Sequence, residues 1–125
     1  MWLYLAIALG GAVGAVSRYG LTNLITDFTG TEFPYGILLV NILGSLAIGL
    51  CFVAFVEKGL VSNLWREAVM AGLLGAFTTF STFSLQTLGM LQAGRLAAAA
   101  AYVVGSVVLC ILATALGIWL SRQAL

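Results

Sequence analysis

Histidine is absent from this 125-residue sequence, proline occurs once, cysteine twice, and charge is confined to five Lys/Arg and four Asp/Glu. Each scarcity excludes something. Without histidine and with two cysteines, the common zinc and acid–base chemistries lack their usual groups. An intramembrane enzyme would have a nucleophile without a general base. Charged residues make up 7% of the chain, where soluble domains carry about 25%. That excludes a disordered chain, a coiled coil and a nucleic-acid binder. It also leaves too little polar surface to clothe a soluble globular domain. What is present is apolar: 62% of residues are hydrophobic and the mean hydropathy is +1.15.

The few charges divide the chain. Met1 to Ser17 is uncharged up to Arg18, and further uncharged runs extend over 33–56, 68–94 and 96–121. About 20 apolar residues span a bilayer core as a helix, so four spans fit and no length remains for a second domain. The reading is an all-α membrane protein, a single four-helix transmembrane domain over residues 1–125. Helices are expected because backbone groups in lipid must pair within the segment. A barrel is excluded by the lack of sustained polar–apolar alternation. The first run lacks the basic segment of a cleaved signal peptide. The connections are expected at Asp27 to Glu32, Glu57 to Glu67 and Gln92 to Arg95, with Pro34 at a helix start. Four spans put both termini on one side with Lys58, Arg66 and Arg122, against Arg95 and Arg18. That small bias leans towards cytoplasmic termini and leaves room for insertion in both orientations.

The spans hold neutral polar groups. In the first, Gly10, Gly14 and Arg18 fall four apart on one face, a small-residue pattern that lets helices approach closely. Arg18 is either an interfacial anchor or an attractor of anions at a vestibule. In the second, the Asn41 amide needs a partner at membrane depth, as an interhelical bond or along a polar path. The third run carries Thr78, Thr79, Ser81, Thr82, Ser84 and Thr87 interleaved with Phe77, Phe80 and Phe83. So many hydroxyls do not suit a lipid-facing helix. The preceding glycines and the stiff, backbone-competing threonines predict a break near Gly75 to Thr79. Non-helical backbone at that depth needs protein or a wet cavity beside it, and it exposes carbonyls that bind ions. In the fourth span, Tyr102, Ser106, Cys110 and Thr114 recur every four residues, as interhelical glue or as the wall of a narrow pore. No deep carboxylate or lysine is present for proton coupling. Hydroxyls, amides and the positive edges of Phe rings can face an anion. The residues alone reach a small four-helix membrane protein with a polar, uncharged pathway.

The segments GGAVGAVSRY (Gly10 to Tyr19), GILLVNILGSLAIG (Gly36 to Gly49) and GLLGAFTTFSTF (Gly72 to Phe83) closely resemble the Fluc, or CrcB, fluoride channels, and the resemblance covers the chain in length and span order. It implies passive, selective fluoride export across a bacterial cytoplasmic (inner) membrane. It implies an antiparallel, dual-topology homodimer with two pores built from both subunits. It further implies that Asn41, Phe80, Ser81, Thr82 and Phe83, with Tyr102, Ser106, Cys110 and Thr114, form the fluoride pathway. Arg18 would sit at the vestibule. The carbonyls of Gly75 and Thr78 would hold a structural Na⁺ at the dimer axis. Cys110 stands where many relatives carry a hydroxyl, Ile37 where some carry Thr, and Gln86 where many are acidic. A small multidrug transporter is the nearest rival, but it would want a glutamate in its first span, and no acid precedes Asp27. A non-transporting subunit of a membrane complex would explain the glycines but not the TTFSTF run.

Overall fold

Apolar runs bounded by charge fold here as helices wherever the chain would otherwise leave peptide groups unpaired in lipid. In the computed structural model, which describes all 125 residues, α1 covers Trp2–Thr29 and ends at Gly30, whose φ of +80° turns the chain and whose N–H donates to the Thr26 carbonyl at 2.8 Å. Helix α2 follows Pro34 at Tyr35–Cys51 and continues in wider, π-type turns over Phe52–Glu57. Helix α3 covers 63–77. It starts as Asn63–Glu67, widens over Ala68–Leu74 and closes as Gly75–Phe77. Helix α4 is Phe80–Gln92 and α5 is Leu96–Ala124. Four stretches are long and apolar enough to cross a membrane: Trp2–Thr29, Tyr35–Glu57, Asn63–Gln92 and Leu96–Ala124. The shortest has 23 residues, about 34 Å at 1.5 Å per residue, against a hydrocarbon core of about 30 Å.

The helices run past the boundaries that charge marks. Asp27 lies within α1 and Asn63–Glu67 is helical, so the non-helical connections are shorter than the charge pattern predicts. Charge shows where a chain leaves hydrocarbon, while the backbone keeps winding through the headgroup region.

Two glycine-mediated contacts build the bundle, one between α1 and α3 and one between α2 and α5. A Cβ on Gly14 would stand 2.1 Å from the Leu73 carbonyl oxygen, and one on Gly10 equally close to that of Ala68. Where α2 meets α5, a Cβ on Gly49 would lie 2.3 Å from the Thr114 oxygen. Backbones so close gain dispersion and Cα–H···O contacts that lipid tails cannot supply. At the end shared by the termini, Arg122 donates through Nε to Glu57 Oε2 at 3.1 Å, tying α5 to the last turn of α2. The same end carries all three tryptophans, Trp2, Trp65 and Trp119, each exposed.

Only 18 of the 125 residues are buried, so most apolar side chains face lipid or another protein surface. Gly14→Ala should lower the thermal unfolding midpoint in detergent, by overpacking worth about 1–3 kcal/mol. Gly20→Ala, with nothing within 4 Å, should be neutral or slightly stabilising. Equal midpoints for the two variants would refute the close α1–α3 approach.

Candidate functional site

At Phe77 the helical ladder stops. Thr78 (φ −89°, ψ 158°) and Thr79 (φ −152°, ψ 121°) are extended, and winding resumes at Phe80. In an unbroken helix the Thr79 N–H would bond the Gly75 carbonyl. Here it donates to Asn41 Oδ1 at 2.8 Å, and Asn41 Nδ2 donates to the Thr79 carbonyl at 3.0 Å. The side-chain amide of α2 thus acts as a one-residue strand partner, satisfying both backbone groups of a buried residue that is 8% exposed. Gly44, one turn further along α2, makes room for the break, since a Cβ there would meet Thr78 Cγ2 at 2.2 Å.

Thr79 also caps α4. Its Oγ1 accepts from the Thr82 N–H at 3.2 Å, donates to Thr82 Oγ1 at 3.2 Å and lies 3.3 Å from Ser81 Oγ. Two of the dense hydroxyls therefore serve the helix start, the local bonding that suits Ser and Thr at N-caps. Ser84 and Thr87 donate to carbonyls one turn back.

Beside the break lies a groove of about 410 Å³ between α2, α3, α4 and α5. It brings together Asn41, Gly75, Thr78, Phe80, Phe83, Ser106 and Cys110. No charged side chain lines it. Phe80 is 77% exposed, while Phe83 is buried with its ring centroid 5.4 Å from that of Phe80 and 5.0 Å from that of Tyr102. Ser106 is 7% exposed, and its Oγ is buried without a hydrogen-bond partner. An unpaired buried hydroxyl costs free energy unless a guest or water completes it.

The remaining expected residues lie outside this groove. Tyr102 is fully buried and donates to Gln86 Oε1 at 2.6 Å. Thr114 donates to the Ser45 carbonyl at 3.0 Å, joining α5 to α2. Ser81 and Thr82 turn to Thr79, and Arg18 is half-buried on α1 without an ion pair. Sequence reasoning missed Thr79 as the hub and Gln86 as the tyrosine's acceptor. An amide within a membrane span, which needs a partner there, was the available signal for Gln86. It lines a second, polar pocket of about 310 Å³ with Glu32 and Arg95 at the other membrane face.

A family model described as "CrcB-like protein, Camphor Resistance (CrcB)" matches residues 5–118. Among curated proteins, "Fluoride-specific ion channel FluC" of Magnetococcus marinus is 47% identical over 93% of this chain and 94% of its own length. The protein of that name from Opitutus terrae is 50% identical over 94% and 90%, and that from Hahella chejuensis 46% over 95% and 94%.

Asn41→Ala should leave the Thr79 N–H and carbonyl unpaired, a loss of about 1–3 kcal/mol for each group, read as a lower unfolding midpoint. Ser45→Ala, whose hydroxyl makes no such bond, is the control. An unchanged midpoint in Asn41→Ala would show that the break does not depend on this amide.

Proposed function

The chain belongs to the CrcB family, and from that premise we propose that it is a fluoride-selective channel, working passively as an antiparallel homodimer with two pores and a central Na⁺ in a bacterial cytoplasmic membrane. It is an integral membrane protein whose relatives are named as ion channels, which is transport and not catalysis. The observation that carries the reading is Ser106: a buried, unpartnered hydroxyl on an uncharged groove beside Asn41, Phe80 and Phe83. A donor with no acceptor in the protein is free to serve a small anion. Phe80 and Phe83 line the same space, and the edge of a Phe ring carries the partial positive charge that an anion can meet. Neutral, individually weak contacts hold an anion without trapping it, as conduction requires. The groove holds no carboxylate, lysine or histidine to couple a proton, which favours passive flow over exchange.

The pathway is proposed to continue from this groove along α5 past Tyr102, Ser106, Cys110 and Thr114, with Ser81 and Thr82 flanking it and Arg18 at the vestibule. Tyr102 and Thr114 would then act by fixing the wall, since their hydroxyls are engaged by Gln86 and the Ser45 carbonyl.

A partner subunit is supported by what is left uncovered at mid-membrane. Gly75, Phe80, Ser81 and Ser84 are all exposed around the break, where a lipid neighbour suits neither a bare peptide nor hydroxyls. The donor set also fits Na⁺. Asn41 diverts the Thr79 N–H from the Gly75 carbonyl, and the Thr78 carbonyl accepts no hydrogen bond within the chain. Uncommitted carbonyls suit a hard cation, and a two-fold axis would double their number. When bound, the ion would supply a fixed positive charge and join the subunits.

Purified protein in liposomes should release fluoride rapidly when valinomycin carries K⁺, with negligible chloride release; absence of fluoride release from a verified dimer would sink the channel. Phe83→Ile should cut that release while leaving the dimer intact, and normal flux in it would take the ring out of the pathway. Replacing Na⁺ by choline should lower the dimer's unfolding midpoint, and an unchanged midpoint would argue against the cation.

A further inference from the structure

One group on the proposed pathway has a reactivity that conduction does not use. Cys110 lies one turn beyond Ser106 on α5, about 6 Å along the axis at 1.5 Å per residue. It is a free, half-buried thiol lining the groove with Asn41, Phe80 and Phe83. It is the only soft donor there, since the other polar groups are hydroxyls, an amide and carbonyls. Ser106, a residue 7% exposed that lines the same groove, keeps its buried hydroxyl unpartnered, an independent sign that this part of the groove takes a guest. The other thiol, Cys51, ends α2 and does not line the groove.

We propose that Cys110 is a covalent inhibitory site for small soft electrophiles of the organomercurial class, a reading that rests on the channel function above. Thiolate sulfur is the preferred ligand of soft metal ions. The methylmercury cation has one open coordination position, so a single thiol satisfies it. The S–H bond and the Hg–Cl bond of methylmercury chloride break, an S–Hg bond forms, and the proton and the chloride leave to water; no oxidant or reductant is involved. The product replaces a weak S–H donor by an apolar methyl group beside Ser106, where a passing anion needs donors. Nothing charged in the groove competes for the metal or repels it.

Methylmercury chloride tests this on Cys51→Ser protein in liposomes, with wild-type protein alongside. Intact and peptide mass locate the adduct, and a fluoride electrode follows release. The expected result is one mercury per chain on Cys110, fluoride release falling to the leak rate of protein-free liposomes, and recovery after dithiothreitol. The Cys51→Ser, Cys110→Ser double variant should take up no mercury and keep its own starting rate. An adduct on Cys110 with unchanged release would overturn the proposal by placing the thiol outside the path. No adduct would overturn it by showing the thiol out of reach. If untreated protein releases no fluoride, the channel reading falls with it, whereas the first two failures leave the channel standing.

Discussion

The reciprocal pair between Asn41 and Thr79 is the constraint on which the rest depends. Interrupting a membrane helix strands peptide groups where no water reaches them. Here one side-chain amide, with its donor and acceptor side by side, takes up both groups of Thr79. Because α2 supplies that amide, the break can exist only where α2 and α3 are in register. That register is held by Gly44 seating Thr78. The same exchange stops the ladder at Phe77, restarts it at Phe80 beside the groove and releases the Gly75 carbonyl from the ladder. Break, groove and uncommitted carbonyls are therefore one structural event.

The bundle isolates that event from its own stability. Close backbone approaches join α1 to the first half of the third span and α2 to α5. Both contacts lie away from α4, which is joined to the bundle mainly through Phe83, Met90 and the Tyr102–Gln86 bond. Rigid glycine seams on either side leave the hydroxyl-bearing helix as the lightly packed member. That arrangement suits a wall that is completed by another surface.

Much of this was legible in the residues. Gaps between charges gave the four spans, because a charge in hydrocarbon costs more than any local preference. The spacing of Gly10 and Gly14 identified a packing face, and α3 covers it. The CrcB family was legible in three segments, and the comparisons show it. Less legible was where hydroxyls point. Four-residue spacing puts Tyr102, Ser106, Cys110 and Thr114 on one face, yet each meets a different neighbour: Gln86, nothing, the groove, and the Ser45 carbonyl. Periodicity fixes a direction around one helix and says nothing of what stands opposite. Likewise, Ser81 and Thr82 look alike in sequence to groove-lining residues, but the extended Thr79 draws both into its cap. That geometry exists only once Asn41 has been placed.

The three tryptophans gathered at the end shared by the termini bear on how the protein sits in its bilayer. Indole rings settle at the headgroup level and act as floats. A single chain with Trp2, Trp65 and Trp119 at one face has all its indole anchors in one leaflet, and its opposite end has Tyr35 as its interfacial aromatic anchor. Two chains paired head to tail would carry a tryptophan collar at each surface. The collars would stand a fixed height apart, set by the helices, so the assembly would gauge bilayer thickness where either chain alone would only tilt.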